Sequence, residues 1–329
     1  MKKNIARAAK TIFKPFHNDL DIFNDYLAKS LTSNLRIVDE IAKYLVRHKG
    51  KQLRPMLVIT SARAVNEPTA GSYLAAVVVE LLHTATLIHD DVVDEAELRR
   101  GFPTINKIWK NKISILMGDY LLAKSLIIAT EIGNIELMNI IANVAKSMSK
   151  GELLQIQKSR KLNITEKEYF QLIKDKTASL ISACCEIGAM TTLASPAQRE
   201  ALKNFGLNLG IAFQIKDDLL DYESHVGILG KPVGHDLKDR KITLPLLYAF
   251  ENSEHSEKKQ VIRMLKNGVK HREVNQIIEF IVQRNGIKKA QEKAIFYKNL
   301  ALQELDKLPA TEAREVLTEL AEFVVQRST

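Results

Sequence analysis

The chain has 329 residues, of which 46% are apolar and 6% aromatic, so it can bury a large core made chiefly of aliphatic side chains. Its net charge of +9 points to anionic partners, but the basic residues are spread along the chain without a nucleic-acid-binding signature. The adjacent Cys184 and Cys185 have neither zinc-binding nor redox-motif spacing, which favours reduced thiols in a cytoplasmic protein. No apolar run reaches about 18 residues, so no transmembrane helix is predicted.

The first hundred residues read as a series of helices. Residues 1–18 are basic and lack acids, which predicts an arm docked as a first helix on its own protein, with membrane-surface contact or an organelle transit peptide as alternatives. An apolar helical pattern over residues 20–47 ends in a basic turn, and Pro55 suits the first turn of a helix over residues 55–66. Ser72 can cap the helix that follows.

That helix ends in three aspartates, Asp90, Asp91 and Asp94, whose spacing places them on one side of a helix. Like charges at this spacing destabilise an isolated helix, so a cation is expected between them. Carboxylate oxygens suit a hard cation, Mg²⁺ in particular. For one such motif alone, a solvated acidic helix end is an equally good interpretation.

The second half of the chain repeats the motif. Further helices are predicted over residues 111–130 (mainly buried) and 135–160, and two more begin at capping boxes at Thr165 and Ser195. The helix from Ser195 ends near Tyr222 with Asp217, Asp218 and Asp221, the same Asp-Asp-x-x-Asp spacing. Two copies, each followed by basic residues, describe two metal-binding walls that face one anionic substrate, for which a diphosphate is the simplest candidate.

The remaining chain completes an all-helical pattern. Residues 224–241 combine three glycines with basic residues and are the best candidate for a mobile loop that closes over phosphate. Residues 244–329 are again helical and serve as scaffold. With no strand succession, long linker or repeat, the sequence predicts one all-α domain over residues 1–329.

These motifs closely resemble the trans-polyprenyl diphosphate synthases, which elongate allylic diphosphates with isopentenyl diphosphate. The resemblance covers about residues 45–245, and the paired aspartate motifs are its most specific feature. It implies an isoprenoid-synthase-like single bundle of ten or more helices around a deep central cavity, usually in a homodimer. It also implies two or three Mg²⁺ ions, for which Mn²⁺ can substitute, and peripheral membrane contact for product release.

The resemblance assigns roles residue by residue. The six aspartates would bind the Mg²⁺ that grips the allylic diphosphate, and Thr177 and Gln214 would line the reaction centre. The allylic diphosphate would contact Arg99, Lys176 and Lys241, with Lys231 near it. The diphosphate of isopentenyl diphosphate would contact Lys51, Arg54, His83 and Arg100. The allylic C–O bond would ionise as charge on the leaving diphosphate is stabilised, and an apolar pocket would protect the carbocation from water.

Three positions depart from the family pattern: Lys49 replaces a glycine, His235 replaces an aspartate, and Arg240 replaces a glycine before Lys241. The first alters the isopentenyl diphosphate loop, and the other two bear on Asp236 and on the reach of Lys241. None of them removes a metal carboxylate.

The residues just before the first aspartate motif help to predict the length of the product. In this family, bulky aromatic residues at the fourth and fifth preceding positions stop chain growth early, but here these positions are Thr86 and Ala85. The sequence therefore predicts a long product of about C40, within C30–C50, with Leu116 and Met117 as candidates for the tunnel floor. A quinone side chain is the expected destination, and farnesyl or geranyl diphosphate the expected starter.

Four alternatives remain. A shorter-chain C15–C20 synthase would use the same chemistry. A non-catalytic subunit of a heteromeric synthase would be expected to lack one aspartate motif, and a terpene cyclase would have a different second motif and more aromatic residues. A basic nucleic-acid- or membrane-binding protein would leave the six aspartates unexplained.

Overall fold

The computed structural model describes residues 11–48, 50–99, 101–227 and 234–327, with side chains from 223 to 227 excepted. Almost all regular structure in these ranges is helical, which confirms the predicted all-α class. Strands in the described part of the chain are limited to β1 (Leu98–Arg99) and β2 (Phe102–Pro103), a short antiparallel hairpin that the sequence did not predict.

The chain forms two compact units, each assembled from three separate stretches. The first unit contains Met1–Ala145, Ala183–Lys203 and Leu305–Leu320, and the second contains Lys146–Ser182, Asn204–Glu304 and Ala321–Thr329. Because each unit takes residues from distant parts of the sequence, the division does not follow a linker. The single domain over residues 1–329 stays a prediction.

The elements of the first unit include a short 3₁₀ turn (Lys14–Phe16) and, after it, five helices. They are α1 (His17–Ser30), α2 (Arg36–Arg47), α3 (Leu53–Arg63), α4 (Ala70–Val93) and, after the hairpin, α5 (Ile105–Glu131). Helix α4 is rich in Val, Leu and Ala and supplies much of the core of this unit. It packs along α5, where Gly118 leaves room for the ring of His89, because a Cβ there would lie 2.3 Å from His89 Nε2.

Two helix starts differ from the sequence expectation. The apolar pattern over residues 20–47 is interrupted between α1 and α2, where the backbone N–H of Ser33 donates to the Asp39 carboxylate at 3.0 Å. The residue that caps α4 is Thr69, and Ser72 is the reciprocal partner in its capping box. The expected boxes at Thr165 and Ser195 are both present.

Helix α5 is less buried than its sequence suggested. Its backbone breaks at Lys110 (φ 70°, ψ 161°), so the regular helix starts at residue 111 as predicted. The prediction that residues 111–130 are mainly buried was wrong, because four large apolar side chains in this range are exposed: Ile115, Leu116, Leu126 and Ile127. The exposure of Leu116 also argues against its predicted place at the tunnel floor, whereas Met117 is buried. By length and composition α4 and α5 could each span a membrane, but 67% of the apolar window of α4 is buried within the protein.

The second unit is built mainly from the later helices. Helices α6 (Ile135–Lys161), α8 (Ser179–Met190), α9 (Pro196–Gly227) and α15 (Glu312–Gln326) supply residues to both units. The others in this unit are α7 (Glu166–Ile173), α10 (His235–Lys238), α11 (Leu244–Glu251), α12 (His255–Asn267), α13 (His271–Gln283) and α14 (Gly286–Leu305), of which only the last residue, Leu305, belongs to the first unit. Its apolar core joins side chains of α7, α9, α11, α13 and α14.

A π-helical turn, Lys174–Ala178, connects α7 to α8. Two glycines allow close packing on it. A Cβ at Gly151 on α6 would lie 2.8 Å from the backbone nitrogen of Lys176, and one at Gly210 on α9 would lie 2.6 Å from Cα of Ala178. Single π-helical turns occur frequently at functional sites. This one carries Lys176 and Thr177.

Candidate active site

A cavity in the second unit gathers five of the residues that the sequence singled out. They are Lys176, Thr177, Gln214, Asp218 and Lys241. Apolar side chains from α7 and from the segment before α11 complete the walls, among them Leu172, Ile173 and Ile242. The cavity therefore combines cationic, carboxylate and apolar surfaces, which an amphipathic anionic substrate requires.

A chain of hydrogen bonds fixes the polar wall of this cavity. The Thr177 hydroxyl donates to Gln214 Oε1 at 2.7 Å, and Gln214 Nε2 donates to Asp218 Oδ1 at 2.9 Å. The other oxygen of Asp218 accepts from the Tyr169 hydroxyl at 2.6 Å. The amide is thereby held with its oxygen toward Thr177 and its nitrogen toward Asp218, and both Asp218 oxygens have protein donors.

The carboxylates of Asp218 and Asp236 are desolvated in this cavity. Burial, reinforced by the negative charge of Asp236, raises the pKa of Asp218 well above its ordinary value. Burial and the charge of Asp221 raise the pKa of Asp236 to about 6. Carboxylate oxygens are the hard donors that divalent cations such as Mg²⁺ prefer, so the donor set fits such an ion.

Three lysines line the same cavity, and two of them, Lys176 and Lys241, were predicted from the sequence. Lys176 Nζ donates to Gln155 Oε1 at 3.1 Å and forms an ion pair with Glu152. Lys241 Nζ lies 2.9 Å from an Asp239 oxygen and 3.9 Å from Asp236. Both ammonium groups lie close to carboxylates, and an anion such as diphosphate can compete for them.

The outer aspartates of the second motif have different partners. Asp217 Oδ1 lies 2.6 Å from Nη2 of Arg327. Asp221 accepts from the backbone N–H groups of His235 and Asp236 at 3.2 and 3.0 Å, at the start of α10. Asp221 thus connects α9 to the segment before Lys241.

The first motif lies at the C-terminal end of α4, in the first unit. The Asp94 backbone N–H donates to the Asp90 carbonyl at 2.8 Å, so the last turn remains closed. A helix C-terminus disfavours carboxylates, and Arg99 on the hairpin offsets this by donating from Nε to Asp91 Oδ1 at 2.6 Å. A cavity in this unit is lined by Asp91, Arg99 and His83 together with Glu80. The structure therefore gathers three of the sequence-predicted residues here.

Some predicted residues lie elsewhere. Lys51 is exposed just before α3 and Arg54 is half-buried in its first turn, and neither lines the cavities described above. Ala85 is buried in α4 and Thr86 is half-buried, and they too lie outside those cavity walls. Arg100 and Lys231 fall outside the described residues.

Within the described ranges, no three His, Cys, Asp or Glu side chains are grouped so that they could hold a metal ion. The carboxylates of Asp91, Asp217 and Asp221 instead face Arg99, Arg327 and backbone amides. These are donors that a cation would replace or share.

The structure adds residues that the sequence analysis missed. Tyr169, Gln155 and Lys158 line the second-unit cavity, and Arg327 contacts Asp217. Tyr169 looked like an ordinary apolar position of α7, and nothing in the sequence relates Arg327 to α9. Asp236 was noted only as part of an altered motif, although its burial beside Asp218 places it within the site.

Comparison with known proteins gives consistent matches. The family described as Polyprenyl synthetase matches residues 35–281. An all-trans-nonaprenyl-diphosphate synthase (geranyl-diphosphate specific) from Rhodobacter capsulatus is 33% identical, covering 96% of this chain and 97% of that protein. The octaprenyl diphosphate synthase of Escherichia coli is 32% identical, covering 94% of this chain and 96% of that protein.

Solved structures agree. A decaprenyl diphosphate synthase from Rhodobacter capsulatus has a TM-score of 0.92 and 36% identity, over 98% of this chain and 99% of that one. A geranylgeranyl pyrophosphate synthase from Corynebacterium glutamicum, complexed with calcium and isoprenyl diphosphate, has a TM-score of 0.80 and 30% identity, over 96% and 97%. The names of these similar proteins range from geranylgeranyl to decaprenyl products.

Proposed function

Because the chain belongs to the polyprenyl synthetase family and is a trans-prenyl diphosphate synthase, we propose that it makes a long product, an all-trans polyprenyl diphosphate of about C40. Isopentenyl diphosphate would be condensed with farnesyl or geranyl diphosphate. The observation that carries the proposal is the second-unit cavity, where Lys176, Lys241 and Asp218 meet an apolar wall. The lysines can bind a diphosphate, and the apolar wall can contact a hydrocarbon tail.

The proposed cofactor is Mg²⁺, in two or three ions and replaceable by Mn²⁺. The ligands would be the six aspartates of the two motifs. The raised pKa of Asp218 supports this, because it shows that burial disfavours the unpartnered charge of a carboxylate that a bound cation would stabilise. The calcium in the related geranylgeranyl pyrophosphate synthase supports a divalent ion. When bound, Mg²⁺ would supply charge stabilisation for the departing diphosphate.

The side chains of the cavity then have distinct tasks. Lys176 and Lys241 neutralise the diphosphate of the allylic substrate, as Arg99 does in the first unit. The Thr177 and Gln214 oxygens lie on the polar wall, where their dipoles stabilise positive charge on the allylic carbons without acting as nucleophiles. Leu172, Ile173 and Ile242 exclude water from the carbocation. The proton lost after condensation passes to the released diphosphate.

Isopentenyl diphosphate would bind on the first unit. His83 lines the cavity there. Lys51 and Arg54 stand around the first turn of α3, and Arg100 follows Arg99 in the sequence. The proposed location of the enzyme is the cytoplasm, and its product would serve as a quinone side chain, with membrane contact when the product is released.

The proposed chain length rests on small side chains. Ala85 is buried in α4, one helical turn and a half before Asp90, and Thr86 follows it. No aromatic side chain at these positions blocks a growing tail. The similar proteins carry both shorter and longer product names, so length is the part of the proposal that most needs a direct test.

The test is a product assay with farnesyl diphosphate, labelled isopentenyl diphosphate and Mg²⁺, with and without chelator. We expect a chelator-sensitive ladder that peaks near C40, and a shorter ladder from Ala85→Phe. A wild-type ladder that ends at C15–C20 would establish the shorter-chain alternative. No incorporation with any allylic starter, from folded protein, would indicate a non-catalytic partner subunit.

We also propose that the enzyme is a homodimer. Ile115, Leu116, Leu126 and Ile127 on α5 are exposed, and their spacing places them along one side of the helix. Clustered large apolar side chains on a surface mark interaction sites. A second copy of the chain is the proposed partner for this α5 stripe.

A further inference from the structure

Arg327 follows α15 directly, and its guanidinium contacts the first aspartate of the second motif. Nη2 lies 2.6 Å from Oδ1 of Asp217. The same nitrogen donates to the backbone carbonyl of Phe213 at 3.0 Å, one turn earlier on α9. Although 114 positions separate Arg327 from Phe213 in the sequence, the guanidinium binds both the carboxylate and the backbone of the helix that carries it.

Two other contacts fix the guanidinium itself. Its Nε donates to the Val324 carbonyl at 3.1 Å, and its Cζ lies 4.3 Å from the centroid of the Phe213 ring. The side chain of Arg327 is only 4% exposed, whereas that of Asp217 is 41% exposed. The arginine therefore supports the carboxylate from the protein interior, while the carboxylate itself reaches solvent.

Anchoring α15 does not by itself require a buried charge. Moving a guanidinium out of water costs free energy, and an apolar side chain of similar size could anchor the helix without that cost. A guanidinium differs from an apolar anchor in one respect that matters here. Its N–H groups point in fixed directions within one plane, so Nη2, shared between the Asp217 carboxylate and the Phe213 carbonyl, can hold that carboxylate against the backbone of α9. This contact uses Oδ1 of Asp217, and the guanidinium leaves the second oxygen to other partners.

We propose that Arg327 is a positioning residue for prenyl transfer, which holds the Asp217 carboxylate in one orientation so that it is preorganised to bind a divalent cation. The inference rests on the proposed role of Asp217 as a metal ligand. Groups that orient metal ligands contribute strongly to metal affinity, although they do not touch the metal. Arg327 would act in this way through a charge-assisted hydrogen bond.

The test compares the wild-type enzyme with Arg327→Gln, Arg327→Lys and a matched control, Arg314→Gln. Arg314 lies on α15, the helix that Arg327 follows, and it also pairs with an aspartate, Asp306, at 2.7 Å, while donating to the Leu308 carbonyl. Two quantities are measured for each protein. One is the Mg²⁺ concentration that gives half-maximal prenyl transfer, and the other is the rise in melting temperature that Mg²⁺ alone causes.

We expect Arg327→Gln to raise the half-saturating Mg²⁺ concentration about 10–100-fold and to reduce the Mg²⁺-induced rise in melting temperature. Arg327→Lys should give an intermediate value, since an ammonium restores the charge but not the fixed planar arrangement of N–H donors. Arg314→Gln should behave like the wild type in both measurements. At saturating Mg²⁺, Arg327→Gln should recover most of its kcat, because the ligand itself is still present.

A purely structural role would give a different result. The inference is wrong if Arg327→Gln melts at a lower temperature without metal but keeps the wild-type Mg²⁺ midpoint. If Arg327→Gln does not fold, Arg327→Lys decides by the same comparison. A wild-type enzyme with neither Mg²⁺-dependent turnover nor a Mg²⁺-induced shift would instead overturn the proposed metal role, which separates the two failures.

Discussion

Asp218 joins two hydrogen-bonded parts of the second-unit cavity, the Gln214–Thr177 pair and the Tyr169 hydroxyl. Its oxygens accept from Gln214 and Tyr169, and Gln214 in turn accepts from Thr177. The motif spacing identified Asp218, and the family resemblance identified Gln214 and Thr177 as site candidates. Tyr169 could not be identified in this way, because a tyrosine in an amphipathic helix is usually a core residue and its hydroxyl partner lies 49 positions away.

The Tyr169 hydroxyl can be tested with one substitution. Tyr169→Phe removes a donor from a buried carboxylate, so we expect a loss of about 1.5–3 kcal/mol in the free energy of unfolding. We also expect about a tenfold rise in the Mg²⁺ concentration for half-maximal turnover, since Asp218 loses an orienting partner. Denaturant unfolding and Mg²⁺ titration of activity are the measurements.

The matched control is Tyr248→Phe. Its hydroxyl also donates to a carboxylate, Glu166 Oε1 at 2.7 Å, in the same unit but away from the proposed metal ligands. This variant should lose stability while keeping the wild-type Mg²⁺ midpoint. Equal Mg²⁺ midpoints for the two variants would contradict a functional role for the Tyr169 hydroxyl.

Helix positions were largely predictable from sequence, and helix irregularities were not. The capping boxes at Thr165 and Ser195 are local patterns, and both were found as predicted. The π-helical turn Lys174–Ala178 has no local signal. The turn depends on close packing by Gly151 and Gly210, which come from elsewhere in the chain.

Packing against the π-helical turn can be tested at Gly210. A Cβ there would lie 2.6 Å from Cα of Ala178, and a backbone atom cannot move aside as a side chain can. Gly210→Ala should therefore cost about 1–3 kcal/mol in the free energy of unfolding by overpacking. It should also lower kcat, because Thr177 precedes the displaced residue.

Gly71→Ala is the control for the helix-propensity effect of alanine. Gly71 lies in the first turn of α4, and its nearest non-neighbouring atom, Thr69 Oγ1, is 3.3 Å from the added Cβ. We expect this variant to be near neutral or more stable, by up to about 1 kcal/mol. Gly210→Ala with wild-type stability and kcat would show that the turn tolerates displacement.

At the scale of the whole molecule, the fold class and the family could be predicted from the sequence, but the exposed apolar surfaces could not. The six aspartates fall in two units, three in each, and each unit draws on distant stretches of chain. The periodicity of α5 indicated apolar faces but could not show which of them the protein itself covers. Ile115, Leu116, Leu126 and Ile127 remain exposed for that reason.

The proposed dimer gives a prediction for this α5 stripe. Charged residues at a buried apolar contact are unfavourable, so Leu116→Glu combined with Ile127→Glu should shift the enzyme from dimer to monomer. Light scattering after size-exclusion chromatography measures the change. Leu153→Glu, at an exposed leucine on α6, is the control and should leave the mass unchanged. A wild-type enzyme that is monomeric across the tested concentrations would refute the dimer.

Asp221 couples the proposed metal site to helix α10. The same carboxylate accepts from the amides at the start of α10 and belongs to the proposed metal site. Thermodynamic linkage makes this coupling reciprocal. If the α10 contact changes the cation affinity of Asp221 by some factor, cation binding changes the equilibrium for forming the α10 contact by the same factor. Free Mg²⁺ would then control how firmly the His235–Lys238 helix is held, and amide hydrogen exchange at His235 and Asp236 would respond to the ion before any substrate binds.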